Sequence, residues 1–315
     1  MFKKPITFLS ILLCANYLNA NTLESLFTAP DVFVTSKIKP SSDFEGDRGN
    51  ILFDSHNLEK KRQYSIGGML SDLPGISSQG LGNATRPLIR GMSNSRVRIL
   101  QNGSSLSDVS EFGEDHIVGY DPMLINQIEI IKGPATLLYG NNAFAGVVNI
   151  INPLITVDKP SLSEIVQADF GYSTSGGELK SALKGNKTVG DFTVRGMGSF
   201  LSSSSYELAN TSAVQSNSAK QNFTGGIGLT YNDGRNYFGF SADKLEAEYS
   251  LPGGEGVENR TTINPTRNTF NFKSGISINS DLFEKVNIEG TVSEYSHAER
   301  VLADKHNIEF FNDAY

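Results

Sequence analysis

Apolar and polar positions change rhythm part-way along the chain. Up to about residue 155, short helix-like and strand-like periods are mixed. From about 160 to 315, strict alternation dominates. In the first part Ile66, Met69, Leu70 and Leu73 fall at i, i+3, i+4 and i+7, one face of a short helix that Pro74-Gly75 stops. Pro87–Arg90 and Arg96–Leu100 read as short strands, and Asn102-Gly103 as a type I′ turn. Asp121-Pro122 pairs a capping residue with Pro at a first helical position. Ile128–Ile131 is a strand, Ala135–Tyr139 a short helix closed by Gly140, and Val147–Ile151 another strand. These elements predict a small α+β domain.

The second part predicts about seven strands of roughly ten residues. Phe192, Val194, Gly196, Gly198 and Phe200 alternate with Thr193, Arg195, Met197 and Ser199. Phe223, Gly225, Ile227, Leu229 and Tyr231 alternate with Thr224, Gly226, Gly228 and Thr230. Thr174–Gly177 and Asp233-Gly234 are turn-like, whereas Ser202–Lys220 and Pro252–Pro265 are expected as longer polar loops. Short turns on one side and long loops on the other suit an outer-membrane β-barrel. A soluble β-sandwich alternates in the same way, so periodicity alone leaves both open.

Composition narrows this. The chain has 315 residues, with 27 Lys+Arg against 34 Asp+Glu and a net charge of −7. Phosphate binding needs a basic surface, so the negative balance argues against a nucleic-acid partner. The single Cys excludes a disulfide framework and any thiolate metal site built by this chain alone. No apolar run reaches the roughly 18–20 residues that a spanning helix needs. Lys3 and Lys4, the apolar run Ile6–Ala15 and the small Ala20 read as a signal peptide over residues 1–20, so the protein is expected to be exported. Cleavage there removes Cys14.

Catalytic motifs are lacking: there is no complete Walker loop, dinucleotide glycine fingerprint, G-x-S-x-G elbow or H-E-x-x-H helix. The protein is expected not to be an enzyme and to carry no catalytic cofactor. The densest ligand cluster is Glu114-Asp115-His116, where Asp115 and His116 suit zinc or another borderline divalent ion if the backbone bends. A solvated polar loop is the other reading. His297 and His306, beside Glu299, Asp304 and Glu309 in an expected loop, are possible further contributors.

Five motifs, taken in order, resemble the plug of the TonB-dependent outer-membrane receptor family. Asp31-Val32-Phe33-Val34-Thr35-Ser36 resembles its energy-coupling box. Ser65–Ile76, with Pro74 and Gly75, resembles the first plug helix and its Pro-Gly ending. Pro87–Met92, with Arg90 and Gly91, resembles the Ile-Arg-Gly strand. Gln127–Ala135, with Glu129, Lys132, Gly133 and Pro134, resembles the Ile-Glu-Val-x-(Arg/Lys)-Gly-Pro signature. Leu138–Ile150, with Tyr139, Gly140 and Gly146, resembles the Leu-Tyr-Gly block that follows it.

The resemblance implies a plug inside a barrel of about 22 strands, seated in outer-membrane lipid of a Gram-negative bacterium. It takes up a scarce nutrient by working with a periplasmic TonB-type energy-transducing protein, which pairs a strand with the box. Plug arginines such as Arg90 are expected to pair with barrel acids. The organisation implied is a signal peptide (1–20), the box and a lead segment (21–47), the plug (48–155) and the N-terminal part of a barrel (156–315). About seven to eight strands fall short of about 22, so the sequence is expected to be an incomplete product. A non-transporting module of plug plus partial barrel is the alternative.

Asp115-His116 falls where the zinc-uptake branch of the family carries a metal pair, and Tyr249–Gly253 and Glu309–Asn312 also resemble that branch. Zinc is the favoured ligand on this basis. The loop after Pro252 lacks the branch's histidines, so nickel, haem or a siderophore stays open.

Overall fold

Ser65 fixes where the first helix begins. Its backbone is extended and its hydroxyl accepts from the Gly68 amide at 3.1 Å, so α1 (Ile66–Leu70) starts capped. The helix is shorter than its periodicity predicts. The amides of Ser71 and Leu73 reach back three residues, to Gly68 and Leu70, and tighten the chain into turns. Leu73 still packs on the edge of the core. The computed structural model describes residues 50–54, 57–58, 65–106, 108–158, 160, 163–211, 213–252, 260–278, 285–301 and 306–314. The expected signal peptide, the segment Asp31–Ser36 and loop 253–259 lie outside the described residues.

The first domain has two sheets. One joins β1 (Ile51–Phe53), β4 (Val97–Gln101), β5 (Ser104–Ser105), β6 (Gln127–Ile131) and β7 (Gly146–Ile151) in the order β1-β6-β7-β4-β5. The other is the hairpin of β2 (Ile76–Leu81) and β3 (Ala84–Ile89). Asn102 and Gly103 have φ of 51° and 83°, as a type I′ turn requires. Asp121 accepts from the Met123 amide at 2.8 Å and caps a 3₁₀ turn at Pro122–Leu124. The expected helix before Gly140 is a 3₁₀ turn, Pro134–Tyr139. Ile66, Met69, Leu70, Ile99, Ile128 and Val148 lie in one buried core.

The second part is one antiparallel sheet of consecutive strands: β8 (Glu164–Ser173), β9 (Glu178–Val189), β10 (Phe192–Ser203), β11 (Lys220–Asn232), β12 (Tyr237–Ser250), β13 (Thr261–Ser277), β14 (Lys285–Val301) and β15 (His306–Ala314). Among the described residues β8 and β15 do not pair, so the sheet is open. Eight strands match the expected seven to eight, but β13 and β14 have 17 residues each, well beyond ten. Parts of two expected loops are strand. Pro265 lies inside β13. It cannot donate, so the ladder to β12 lapses at Pro265 while pairing with β14 continues at His297. His297 and Glu299 lie in β14, and residues 309–314 lie in β15.

The sheet's two faces decide between barrel wall and sandwich. Val194, Phe223, Ile227, Leu229, Phe240 and Phe270 are exposed on the outer face. Thr193, Arg195, Ser199, Thr224, Asp243, Arg267 and Asn271 are buried on the inner face, against the first domain. A sandwich turns its apolar face inward; a membrane barrel does the reverse. The fold is therefore an α+β plug followed by antiparallel barrel-type strands.

Polar contacts seat the plug on this wall. Asp121 accepts from Ser199 Oγ at 2.6 Å and from Asn222 Nδ2 at 3.0 Å. Lys184 Nζ donates to the Ile125 carbonyl at 3.1 Å. Arg267 and Asp243 form a buried pair at 3.5 Å, and both meet Gln101 of β4: Arg267 Nη2 donates to its Oε1 at 2.7 Å, and its Nε2 donates to Asp243 at 3.2 Å. Leu154 and Ile155, where the plug hands over to the wall, press on Gly226, Gly228 and Gly239. A Cβ on Gly228 would lie 2.2 Å from the Leu154 carbonyl oxygen.

Candidate metal centre

Among its described residues the plug segment between β5 and Pro122 forms no helix or strand; Asp108 ties it together from within, accepting from the Ser110 and Gly119 amides at 3.0 and 2.7 Å, and neighbouring elements grip it from outside. The Leu81 amide donates to the Glu114 carbonyl at 2.9 Å, tying the segment to the β2–β3 hairpin. Tyr249 of β12 reaches in from the wall. Its hydroxyl donates to the Asp115 carbonyl at 2.9 Å and accepts from the Ile117 amide at 3.2 Å. Gly113 gives room for the tight bend: a Cβ there would lie 2.3 Å from Asp115 Oδ1 and 3.4 Å from His116 Nε2. The chain turns at Glu114–His116.

His297 and Glu299, two residues apart on β14, share the inward face. Their side chains converge with that of His116, and one ligand atom from each lies within 4.8 Å of the others. His297 Nε2 is 3.2 Å from Glu299 Oε1. His116 Nε2 is 3.8 Å from the same oxygen and 3.8 Å from Asp115 Oδ1. Tetrahedral ligands at zinc's usual bond lengths stand about 3.3–3.4 Å apart, so this set needs only small adjustments. Phe310 of β15 stacks on His297 at 4.5 Å, 18° from parallel. Among the described residues the Nδ1 atoms of both imidazoles are buried without a hydrogen-bond partner, while both Nε2 atoms face carboxylates. Burial pushes the His116 pKa below the usual imidazole value, and the Asp115 charge pulls it partly back. A neutral imidazole is the form that binds metal.

The cluster sits at one end of the wall. By strand order the connections at 174–177, 204–219, 251–260 and 302–305 fall at that end, and those at 190–191, 233–236 and 278–284 at the other. Tyr249, His297 and Glu299 all lie within a few residues of the first set.

Comparison with known proteins identifies the domain beneath this loop. The model described as TonB-dependent Receptor Plug Domain matches residues 50–147. The chain carries a TonB-dependent receptor plug domain. Solved structures of similar shape include the copper transporter OprC, with a TM-score of 0.65 and 21% identity over 79% of this chain and 38% of that one. The FrpB iron transporter from Neisseria meningitidis (F3-3 variant) gives 0.63 and 14% identity, over 80% of this chain and 41% of that one. The ferric citrate transporter FecA in its unliganded form gives 0.60 and 16%, over 82% and 41%. At these identities the likeness is one of fold. The chain spans about two fifths of the length of each.

Within the plug domain, the motif residues build the scaffold rather than the cluster. Glu129 is wholly buried and accepts from Asn149 Nδ2 at 2.9 Å. Lys132 donates to the Pro74 carbonyl at 3.3 Å. Gly75, Gly91, Gly133 and Gly140 all have positive φ, and Gly146 packs against Ile89 and Ile131. Pro134 opens the turn that ends at Tyr139. Arg90 is exposed at φ 51°, and among the described residues, which hold only part of a barrel wall, it forms no ion pair with a wall acid. The carboxylate-paired arginine at the plug–wall boundary is Arg267, on the wall side.

Of the metal candidates, Asp115, His116 and His297 are brought together, with Asp115 at the margin. His306 lies in β15, and its side chain is outside the described set. Sequence reasoning left three contributors out. Glu299 carried a usable signal, its i+2 spacing from His297 on a strand. Tyr249 was noted only within the Tyr249–Gly253 stretch, because its contacts cross from β12 to the plug; Gly113 is a local neighbour of Asp115 and His116 but shows no pattern that marks it.

Proposed function

We propose that this chain is the plug and leading wall strands of an outer-membrane receptor that captures a divalent metal ion, with zinc favoured, and passes it inward with a periplasmic TonB-type energy-transducing partner. One observation carries the reading. A plug imidazole (His116) and a wall imidazole and carboxylate (His297, Glu299) converge at the end of the wall that bears the long connections. In outer-membrane barrels the long loops face outside the cell, which suits capture from the medium. Two imidazoles with carboxylates suit zinc better than hard cations, which prefer all-oxygen sites. The apolar outer face suits contact with lipid. The role is that of a receptor, not an enzyme.

The test is zinc titration of the chain refolded in detergent, by competition with a chromophoric chelator. Asp115→Ala and His116→Ala should each weaken binding. Unchanged affinity in both, or no zinc binding by the parent chain, would remove the metal assignment. The same titration with nickel, ferric siderophore and haem separates the ligand classes.

A further inference from the structure

Tyr249 makes an unusual pair of contacts. Its hydroxyl meets the Asp115 carbonyl at 2.9 Å and the Ile117 amide at 3.2 Å. That carbonyl belongs to the peptide unit before the His116 Cα, and that amide to the unit after it. Peptide units are planar, so φ and ψ of a residue are set by how its two flanking planes stand. One wall hydroxyl therefore holds both planes that orient the His116 side chain. The ring beneath the hydroxyl is itself fixed. It is 2% exposed and packs with Ile263 of β13 and Ala84 of the plug, with Ile117 and Leu251 at the margin.

We propose that Tyr249 is a positioning residue for the metal centre: it holds His116, and Asp115 beside it, in register with His297 and Glu299 without itself ligating. The inference rests on the metal reading above. Its chemical logic is that of the partners that orient ligating histidines in other metal sites, except that the grip is on the backbone and not on the ring nitrogen. Losing such partners typically costs 10–100-fold in metal affinity.

The test compares Tyr249→Phe with Ile263→Val in the detergent-refolded chain, using zinc alone as the probe. Tyr249→Phe keeps the ring and removes only the hydroxyl; Ile263→Val trims the same packing and leaves the hydroxyl. The expected result is about 10–100-fold weaker zinc binding in Tyr249→Phe and a change below about twofold in Ile263→Val. Equal affinity of Tyr249→Phe and the parent overturns the proposal while leaving the metal site standing. Equal weakening by both variants also overturns it, because packing and not the hydroxyl would then be responsible. Absence of zinc binding by the parent removes the metal reading and this inference together. Circular dichroism and protease resistance of each variant show whether the fold is kept. If Tyr249→Phe fails them, Leu81→Pro decides: it removes the amide that grips Glu114 and should weaken zinc binding less than tenfold, and a larger loss there assigns the positioning to the hairpin and overturns the role of Tyr249.

Discussion

The rings of His116 and His297 stand 5.0 Å apart with 52° between their planes, one on a plug loop and the other on wall strand β14. Neither body holds the cluster alone. If they share one ion, their substitutions are not independent. His116→Ala and His297→Ala should each lower zinc affinity by about tenfold or more, and the double variant should lose much less than the product. Calorimetric titration of the four proteins checks this, and strict additivity would separate the two residues into unrelated sites.

Gly113→Ala should weaken zinc binding without unfolding the plug. The added Cβ would sit 2.3 Å from Asp115 Oδ1 and 3.2 Å from His116 Cδ2. The Asp115 carboxylate has to turn away and the His116 ring to give by a few tenths of an ångström, and both belong to the candidate centre. A zinc isotherm unchanged by this substitution would mean that Asp115 and His116 are free to move without cost to binding.

Gly228→Val should loosen the plug from the wall. Its Cβ would meet backbone, the Leu154 carbonyl, and not a side chain that can swing aside. Overpacking of this kind costs about 1–3 kcal/mol. Limited proteolysis in detergent should release the plug from the variant sooner than from the parent, and equal rates would show that residues 152–157 are not a seating point.

Much of this fold was legible because its signals are local. The Asn102-Gly103 turn, the Asp121-Pro122 cap and the β6 and β7 strands carry their causes in a few adjacent residues. The period-two alternation of β10 and β11 separated their faces correctly, though it could not say which face was buried; the plug decides that. Strand ends were harder to place. Pro265 looked like a loop residue, yet its ring blocks only one ladder, and the other continues through it. The half of the metal cluster on the plug was visible as Asp115-His116. His297 was also visible as a possible contributor, but that it and Glu299 meet His116 depends on the register of β13 and β14, which no local pattern sets. Fully buried Arg86, whose Nη2 donates to the Asn94 and Val97 carbonyls, gave no signal at all.

Asp243→Ala should destabilise the seated plug severely. Arg267 and Asp243 are both buried at the plug–wall boundary, 3.5 Å apart. Removing the carboxylate leaves a buried guanidinium with Gln101 Oε1 and the Leu106 carbonyl but, among the described residues, no ion-paired carboxylate. Breaking a buried pair from one side costs about 3–5 kcal/mol. Asp243→Asn, which keeps an acceptor for Arg267, should cost less. Denaturant unfolding of the two variants in detergent gives the order, and equal losses would show that shape, not charge, matters there.

Glu111 gives a pH signature that is separate from the metal centre. Burial raises its pKa above the usual carboxyl range, while Arg86 and Arg98 pull it partly back. The folded protein therefore holds this proton more tightly than the unfolded chain does. Its contribution to stability is complete below the unfolded pKa, about 4.3, and is lost as pH rises through the higher folded value. Glu111→Gln keeps the size and removes the titration. The stability of the parent relative to this variant should fall as pH is raised from about 4 through the folded pKa, and then level off. Denaturant midpoints of both proteins across this window measure it. A constant difference would show that Glu111 ionises alike in both states, and a parent that gains on the variant with rising pH would reverse the sign, making the Arg86 and Arg98 attraction the larger effect.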